Sequence, residues 1–122
     1  MNHKELDVWK NAVDLSVDIY KIISTFPNDE KYGLSSQIKR SAISIASNIA
    51  EGCGRKSDKE LINFLHISMG SLAELETQII IAERIELISN LNKIHLDEKI
   101  EITGKLIMGF IRYLKNKTTI RE

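Results

Sequence analysis

The sequence predicts an all-α protein, an antiparallel up-down four-helix bundle formed by one domain spanning residues 1–122. Apolar residues recur at spacings of three and four rather than two, which is the period of a helix surface. The chain contains a single proline, Pro27. Short polar or glycine-containing breaks separate four periodic segments, and these predict helices at about residues 5–25, 34–52, 57–89 and 95–117.

The first segment carries two neighbouring apolar stripes. One consists of Leu6, Trp9, Val13, Ser16, Tyr20 and Ile23, and the other of Val8, Ala12, Leu15, Ile19 and Ile22. Together they form a face wider than one partner helix covers. We therefore expect an oligomer interface on this helix, formed by Val8, Trp9, Ala12, Leu15 and Ile19. Phe26-Pro27 then ends the helix, because proline lacks the N–H and restricts the residue before it.

The second and third segments are joined by a turn with clear stop and start signals. Gly52-Cys53-Gly54 is expected to end the second helix through a glycine in the left-handed conformation. Ser57 and Glu60 have the spacing of a capping box that begins the third. The core positions expected on the last three helices are Ile38, Ala42, Ile45, Ile49, Leu61, Leu65, Ser68, Leu72, Leu75, Ile79, Ala82, Ile100, Thr103, Ile107, Phe110 and Leu114.

Polar residues on the second and third helices predict a network between them. If the turn centres near Arg55, residues whose numbers sum to about 111 lie level across an antiparallel pair. This register places Gln37 beside Glu74, Arg40 beside Ser71, and Asn48 opposite Asn63 and Phe64. We expect the network to fix helix register, as single buried polar residues do in coiled coils. Its predicted members are Gln37, Arg40, Asn48, Glu51, Ser71 and Glu74.

Composition and charge restrict the possible classes of function. Seventeen Lys and Arg balance seventeen Asp and Glu, so no overall field is expected to attract nucleic acid or acidic lipid. The single cysteine, Cys53, cannot form an internal disulfide, which is typical of a reducing compartment. No apolar run approaches the roughly 20 residues that span a bilayer, and the N-terminus lacks the apolar centre of a signal peptide. We expect a cytoplasmic protein that does not associate with membranes.

Charge is nevertheless unevenly distributed along the chain. Acidic residues predominate from Glu74 to Glu101, whereas Lys105 to Arg121 contains bases and no acid. The candidate nucleic-acid contacts are Arg55, Lys56, Lys59, Lys105, Arg112, Lys115, Lys117 and Arg121, which symmetric copies would arrange in a ring. The helix dipole also favours cations at a helix C-terminus, so solvation and capping are the alternative interpretation.

The sequence contains no catalytic or metal-ligating pattern, and no cofactor is predicted. A di-iron carboxylate site requires a glutamate three residues before a histidine, but His66 and His95 follow Asn63 and Asn92 at that spacing. There is no Cys-x-x-Cys pair and no phosphate-binding glycine loop. Cys53, near two cations, is a candidate reactive thiol at best. We expect a protein that is not an enzyme.

Several short segments of the sequence resemble those of a known family. They are Phe26-Pro27, Ser47-Asn48-Ile49-Ala50-Glu51-Gly52, Gly70-Ser71 and Glu74-Leu75-Glu76. With them, the chain resembles the small bacterial four-helix bundle proteins encoded in intervening sequences of large-subunit ribosomal RNA genes. The resemblance runs from about Leu6 to Leu87, with a looser match in the last helix.

The resemblance implies a bundle that assembles into a pentameric ring. Relatives of this family serve as the accessory variability determinant of diversity-generating retroelements, where a basic ring engages a reverse transcriptase and nucleic acid. This chain departs from that pattern because its charges balance. The first hypothesis is therefore a self-assembling scaffold or adaptor. The alternative is a nucleic-acid-binding accessory to a reverse transcriptase or structured RNA, with an affinity that falls steeply with salt.

Overall fold

The computed structural model describes residues 1–28 and 33–121, with side chains described as far as residue 117. A short 3-10 helix at His3–Glu5 precedes four α-helices: α1 (Asp7–Ile23), α2 (Leu34–Cys53), α3 (Asp58–Arg84) and α4 (Asn90–Arg121). Within the described ranges there is no β-strand. None of these helices is both long and apolar enough to cross a lipid bilayer.

The helices form a bundle in which each contacts two others. α1 packs against α2 and α4, and α3 packs against the same two, with the largest contact between α2 and α3. Across the described residues, no Cα of α1 lies within 8 Å of one in α3, and none of α2 lies within 8 Å of one in α4, so these are the diagonal pairs of the bundle. Contacts between α2 and α3 run in opposite order along the two helices. Gly52 near the end of α2 lies against Leu61 near the start of α3, and Ser41, earlier in α2, bonds to Gln78, later in α3.

The predicted apolar repeats form the core. The repeats of α2 and α3 are buried throughout, and in α4 only Phe110 is half-buried. In α1 the fully or almost fully buried residues are Val8, Ala12, Leu15, Ile19 and Ile23. Every buried side-chain nitrogen or oxygen in the described part of the chain has a hydrogen-bond partner. The sequence periodicity therefore located the interior of α2, α3 and α4 correctly.

The break between α3 and α4 differs from the prediction. α3 ends at Arg84 rather than near residue 89, and α4 begins at Asn90 rather than near residue 95. Glu86 adopts a left-handed conformation with φ of 65°. The Leu87 N–H donates to the Ala82 carbonyl at 2.9 Å, and the Glu86 N–H donates to the Glu83 carbonyl at 3.0 Å. These two bonds form a Schellman motif, which normally uses glycine at the left-handed position and so went unrecognised in the sequence.

The turn between α2 and α3 also corrects one expectation. Gly54 has φ of −83°, so no left-handed glycine ends α2. Gly52 is instead required for close packing, because a Cβ there would lie 2.8 Å from Cδ1 of Leu61 and 2.8 Å from Cβ of Phe64. At the start of α3, the Ser57 hydroxyl accepts a hydrogen bond from the Glu60 N–H at 3.2 Å, as the capping box predicts.

Candidate interaction surfaces

The α2–α3 interface contains a strip of polar side chains, which we call the polar seam: Ser41, Ser44 and Asn48 on α2, with Ser68, Ser71, Glu74 and Gln78 on α3. The hydroxyls of Ser44 and Ser71 lie 2.8 Å apart. The Asn48 amide donates to the Ser44 hydroxyl at 2.9 Å and to the Ser44 carbonyl at 2.8 Å. Ser68 donates to the Ile45 carbonyl at 2.9 Å, which ties α3 directly to the α2 backbone.

Ser41 is the most connected member of the polar seam. Its hydroxyl oxygen lies 2.6 Å from Oε1 of Glu74, 3.0 Å from Oε1 of Gln78 and 3.0 Å from the Gln37 carbonyl. A hydroxyl has one proton to donate, and the short bond to a carboxylate is the strongest of the three. Ser41 is 2% exposed. Sequence reasoning missed this residue because it sought an arginine partner for Glu74.

Three predicted members of the network are not in it. Gln37 contributes only its backbone carbonyl, and its side chain is exposed. Arg40 is exposed and forms no ion pair or hydrogen bond with the described residues, so the predicted pair with Glu74 is wrong. Glu51 is engaged on the surface by Arg55, in the turn that follows α2, with an N–O distance of 2.7 Å.

The predicted register between α2 and α3 fails by about one helical turn. Glu74 meets Ser41 rather than Gln37, and Ser71 meets Ser44 rather than Arg40. Side chains lean toward the N-terminus of their own helix. Where two helices run in opposite directions, the side chains that meet therefore have higher numbers than the Cα atoms that lie level. The estimate from the turn centre ignored this lean.

The oligomer interface predicted on α1 is also corrected. Val8, Ala12, Leu15 and Ile19 are at most 5% exposed in the single chain, where they form the core. They therefore have almost no surface left to bury against another copy. Only Trp9 is half-buried, with its ring 5.2 Å from that of His3. Four of the five predicted interface residues belong to the stripe that faces inward, and only Trp9 belongs to the other.

The other stripe of α1 lines an open apolar groove against α2. This α1–α2 groove has a volume of about 420 Å³ and is lined by Val13, Ser16, Val17, Tyr20, Lys21, Ile43, Ala46 and Ser47. Val17, Tyr20 and Ile43 are 46%, 42% and 45% exposed, respectively. The helices are held together beneath by the Ser16 hydroxyl, which donates to the Ala42 carbonyl at 3.0 Å. The groove is therefore a fixed surface of the fold.

A second groove lies between α3 and α4, with a volume of about 530 Å³. Met69 and Leu72 line it from α3, and Ile100, Gly104 and Met108 from α4. Carboxylates are found toward one end and cations toward the other, from Glu76, Asp97, Glu101, Lys105 and Arg112. Three of these five charges are already paired, since Glu101 bonds Lys105 at 3.1 Å and Asp97 bonds Lys93 at 2.6 Å. The bond to Asp97 raises the pKa of Lys93.

The predicted basic contacts separate into two groups. Lys117 lies 3.5 Å from Asp58, so the C-terminal part of α4 reaches the start of α3, which carries Lys59 and follows the turn with Arg55 and Lys56. Arg55 is paired with Glu51 and stacks over the Phe64 ring at 4.8 Å. Lys105 and Arg112 line the α3–α4 groove instead. Lys115 is exposed, and the side chain of Arg121 lies outside the described residues.

A charged cluster between α1 and α4 was not foreseen. The Asp18 carboxylate forms an ion pair with Lys99 and lies 3.1 Å from Nε2 of His95. Burial raises the pKa of Asp18, but the hydrogen bonds and charges of Lys99 and His95 outweigh it and hold the pKa below the ordinary 3.8. Asp18 and His95 are 77 positions apart in the sequence, so no local pattern could have revealed the contact.

The remaining titratable candidates do not form a reactive site. Cys53 is buried, and burial raises the pKa of its thiol, the opposite of what an activated nucleophile needs. His66 is exposed on α3. Within the described ranges, no three His, Cys, Asp or Glu side chains are grouped so that they could hold a metal ion.

Comparison with known proteins places the fold in a family. The model of the 23S rRNA-intervening sequence protein family matches residues 4–109. The chain belongs to this family. The match continues past Leu87, where the resemblance of sequence words weakens, and stops before the last turns of α4. Arg112, Lys115, Lys117 and Arg121 therefore lie beyond the part of the chain that the family model matches.

A solved structure agrees with this membership. A crystal structure of a protein of unknown function from the S23 ribosomal protein family of Bacteroides thetaiotaomicron VPI-5482 superposes with a TM-score of 0.80 and 26% sequence identity. The alignment covers 86% of this chain and 95% of that one. No curated protein matches the sequence. Of the sequence segments that carry the resemblance, Phe26-Pro27 follows α1, and the others lie on α2 and α3, where they include Asn48, Ser71 and Glu74 of the polar seam.

Proposed function

We propose that this intervening sequence protein is a non-enzymatic scaffold or adaptor of the cytoplasm that acts as an assembly of identical copies. In this proposal the four helices form an antiparallel up-down bundle, and five bundles form a ring. The observation that carries the proposal is the α1–α2 groove, which leaves Val17, Tyr20 and Ile43 almost half exposed on the single chain. Contiguous apolar surface of this kind marks protein interaction sites.

The rigidity of the bundle supports the same role. The polar seam and the cluster around Asp18 tie neighbouring helices together with hydrogen bonds and ion pairs of defined geometry. An interface built on such helices pays little ordering entropy when it forms, because its side chains are already positioned. A scaffold needs this property, since its surfaces must be presented in a fixed arrangement.

Sedimentation equilibrium of the purified protein over a range of concentrations tests the proposal. The expected result is a species of five times the 13.9 kDa chain. A smaller closed assembly would be consistent with a scaffold but would overturn the proposal of a pentamer. A single 13.9 kDa species at every concentration would overturn self-association altogether.

A second candidate function is that of a nucleic-acid-binding accessory to a reverse transcriptase or structured RNA. The observation that favours it is the contact between Lys117 and Asp58, which brings the basic end of α4 to the α2–α3 turn. Lys56 and Lys59 are exposed there and have no carboxylate partner among the described residues. Cations on one end of a bundle can neutralise several phosphates at once.

Binding to labelled structured RNA and duplex DNA across a salt series tests this second candidate. We expect affinity to fall with salt in a log-log plot, because phosphate contacts release counterions. Lys56→Glu should weaken binding, whereas Arg84→Glu, an equal change of charge at the end of α3, should not. Absence of binding at low salt, or equal effects of the two variants, would contradict it.

A further inference from the structure

The outer face of α4 carries an apolar stripe that no part of the described chain covers. Leu91, Ile94, Ile102 and Tyr113 are 77%, 57%, 50% and 58% exposed, respectively. They lie on the side of the helix away from the buried face that includes Leu96, Ile100 and Ile107. We call Leu91, Ile94 and Ile102, with the intervening Glu98, the α4 outer stripe; Tyr113 lies three turns further along the same face, beyond Lys105 and Gly109. An exposed apolar stripe on one helix can pack into an apolar groove between two others.

The shapes of the two surfaces are compatible. In the α1–α2 groove, the small half-buried residues Ser16 and Ala46 lie among the larger exposed Val17, Tyr20 and Ile43. Ridges of side chains on one helix pack into such depressions on a pair of others. The groove follows α1 from Val13 to Lys21, a length of roughly 12 Å at the helical rise. Leu91 to Ile102 spans roughly 16 Å, which is enough to fill it.

The charges are complementary as well. Lys21 is exposed at one end of the groove, and the Lys39 ammonium lies 5.1 Å from the centre of the Tyr20 ring. Glu98 is exposed between Ile94 and Ile102 on the α4 outer stripe. Neither Lys21 nor Glu98 forms an ion pair with the described residues of its own chain. A second copy can supply the missing partner to both.

We propose that the α4 outer stripe of one copy packs into the α1–α2 groove of the next, with Glu98 facing Lys21 and Lys39. This inference rests on the proposed self-association and names the surfaces that carry it. Because the two surfaces are different, each copy offers one of each and the contact is heterologous. Repeated contacts of this kind generate a closed ring when the rotation between copies closes, and a filament when it does not.

Matched substitutions of exposed isoleucines test the inference by light scattering. Ile43→Lys places a charge in the groove and is expected to weaken association at least about tenfold, because apolar anchors carry most of an interface's affinity. Ile67→Lys is the control, since Ile67 is 50% exposed on α3 and belongs to neither surface. Ile102→Glu tests the opposite surface, so the inference does not depend on the folding of one variant.

A charge exchange tests the register of the contact. Lys21→Glu should weaken association, and adding Glu98→Lys to it should restore association, because the pair is then reversed rather than removed. Unchanged mass of Ile43→Lys and Ile102→Glu, with the wild type still oligomeric, would overturn this interface and leave the proposed function standing. A monomeric wild type would overturn both.

Discussion

Ser41 is the residue on which the polar seam depends most. Replacing it with alanine removes the 2.6 Å bond to Glu74 and the hydroxyl that lies 3.0 Å from Oε1 of the buried Gln78. We expect Ser41→Ala to lower the free energy of unfolding by about 1–2 kcal/mol, measured by urea denaturation. Arg40→Ala, one residue away but exposed, should change it by less than about 0.5 kcal/mol. Equal losses would mean that the seam is not what holds α2 against α3.

Two glycines make a matched pair with opposite expectations. Gly52→Ala puts a methyl group 2.8 Å from two carbon atoms, one of them Cβ of Phe64, which cannot move without its backbone. We expect a loss of about 1–3 kcal/mol. Gly70→Ala meets nothing within 4 Å on α3 and should gain about 0.5–1 kcal/mol from helix propensity. Thermal denaturation of both variants measures the two changes in stability. A Gly52→Ala variant as stable as the wild type would contradict the close packing assigned to Gly52.

Asp18 gives the fold a pH dependence with a definite sign. Its pKa is lowered in the folded protein, so its contribution to stability is present above the ordinary 3.8 and is lost as pH falls through the lowered value. We expect Asp18→Asn to be less stable than the wild type at neutral pH, with the difference narrowing in acid. Urea denaturation over a pH series measures it. A difference that is constant with pH would contradict the role assigned to Lys99 and His95.

The matched control is Asp14→Asn, one turn earlier on α1. Asp14 is exposed and has no ion pair with the described residues. Its replacement should leave the pH dependence close to that of the wild type. A change as large as that of Asp18→Asn would show that the overall charge of α1, rather than the contact with α4, is responsible.

At the residue scale, analysis of the sequence identified several polar residues of the α2–α3 interface but assigned the wrong bonding partners to them. It recognised that Asn48, Ser71 and Glu74 needed polar partners inside a helix pair. It could not identify Ser41 or Ser44 as those partners, since the register depends on how side chains lean along their helices. Contacts such as Asp18 with Lys99 depend on the whole topology, and no local pattern encodes them.

At the scale of elements, the end of α3 is strained. Glu86 has φ of 65°, a conformation that costs a residue with a Cβ about 1–2 kcal/mol. Glu86→Gly is expected to raise the free energy of unfolding by about 0.5–1 kcal/mol, after the larger unfolded-state entropy of glycine is subtracted. Glu76→Gly, on the exposed face inside α3, should instead lower it by a similar amount. Chemical denaturation that gave both the same sign would contradict this assignment.

The helices themselves could be predicted from apolar periodicity, and their ends only in part. The Ser57 cap was recognised because serine and glutamate at this spacing are an established signal. The Schellman motif at Glu86 was not, because glutamate is an unusual residue at that position. On α1, both stripes were recognised, but periodicity does not say which one faces inward. The buried stripe is wholly aliphatic, whereas the outer one includes Ser16 and Tyr20, and this difference was available in the sequence.

At the scale of the whole molecule, the surface consists of regions that differ in charge and shape. The α1–α2 groove is almost wholly apolar, the end of the bundle near Lys56 exposes lysines, and the α3–α4 groove carries both signs of charge. The fold class followed from sequence, but these surfaces did not, because each is formed by residues from two helices. An assembly through the apolar groove leaves the basic end available for another partner.

Molar mass by light scattering, with the wild type and Ile43→Lys compared at equal concentration, tests the central claim of self-association most directly. The account predicts an assembly of several 13.9 kDa chains, five in the proposed ring, that dissociates when the groove is charged. A wild-type mass of 13.9 kDa at all concentrations would contradict it.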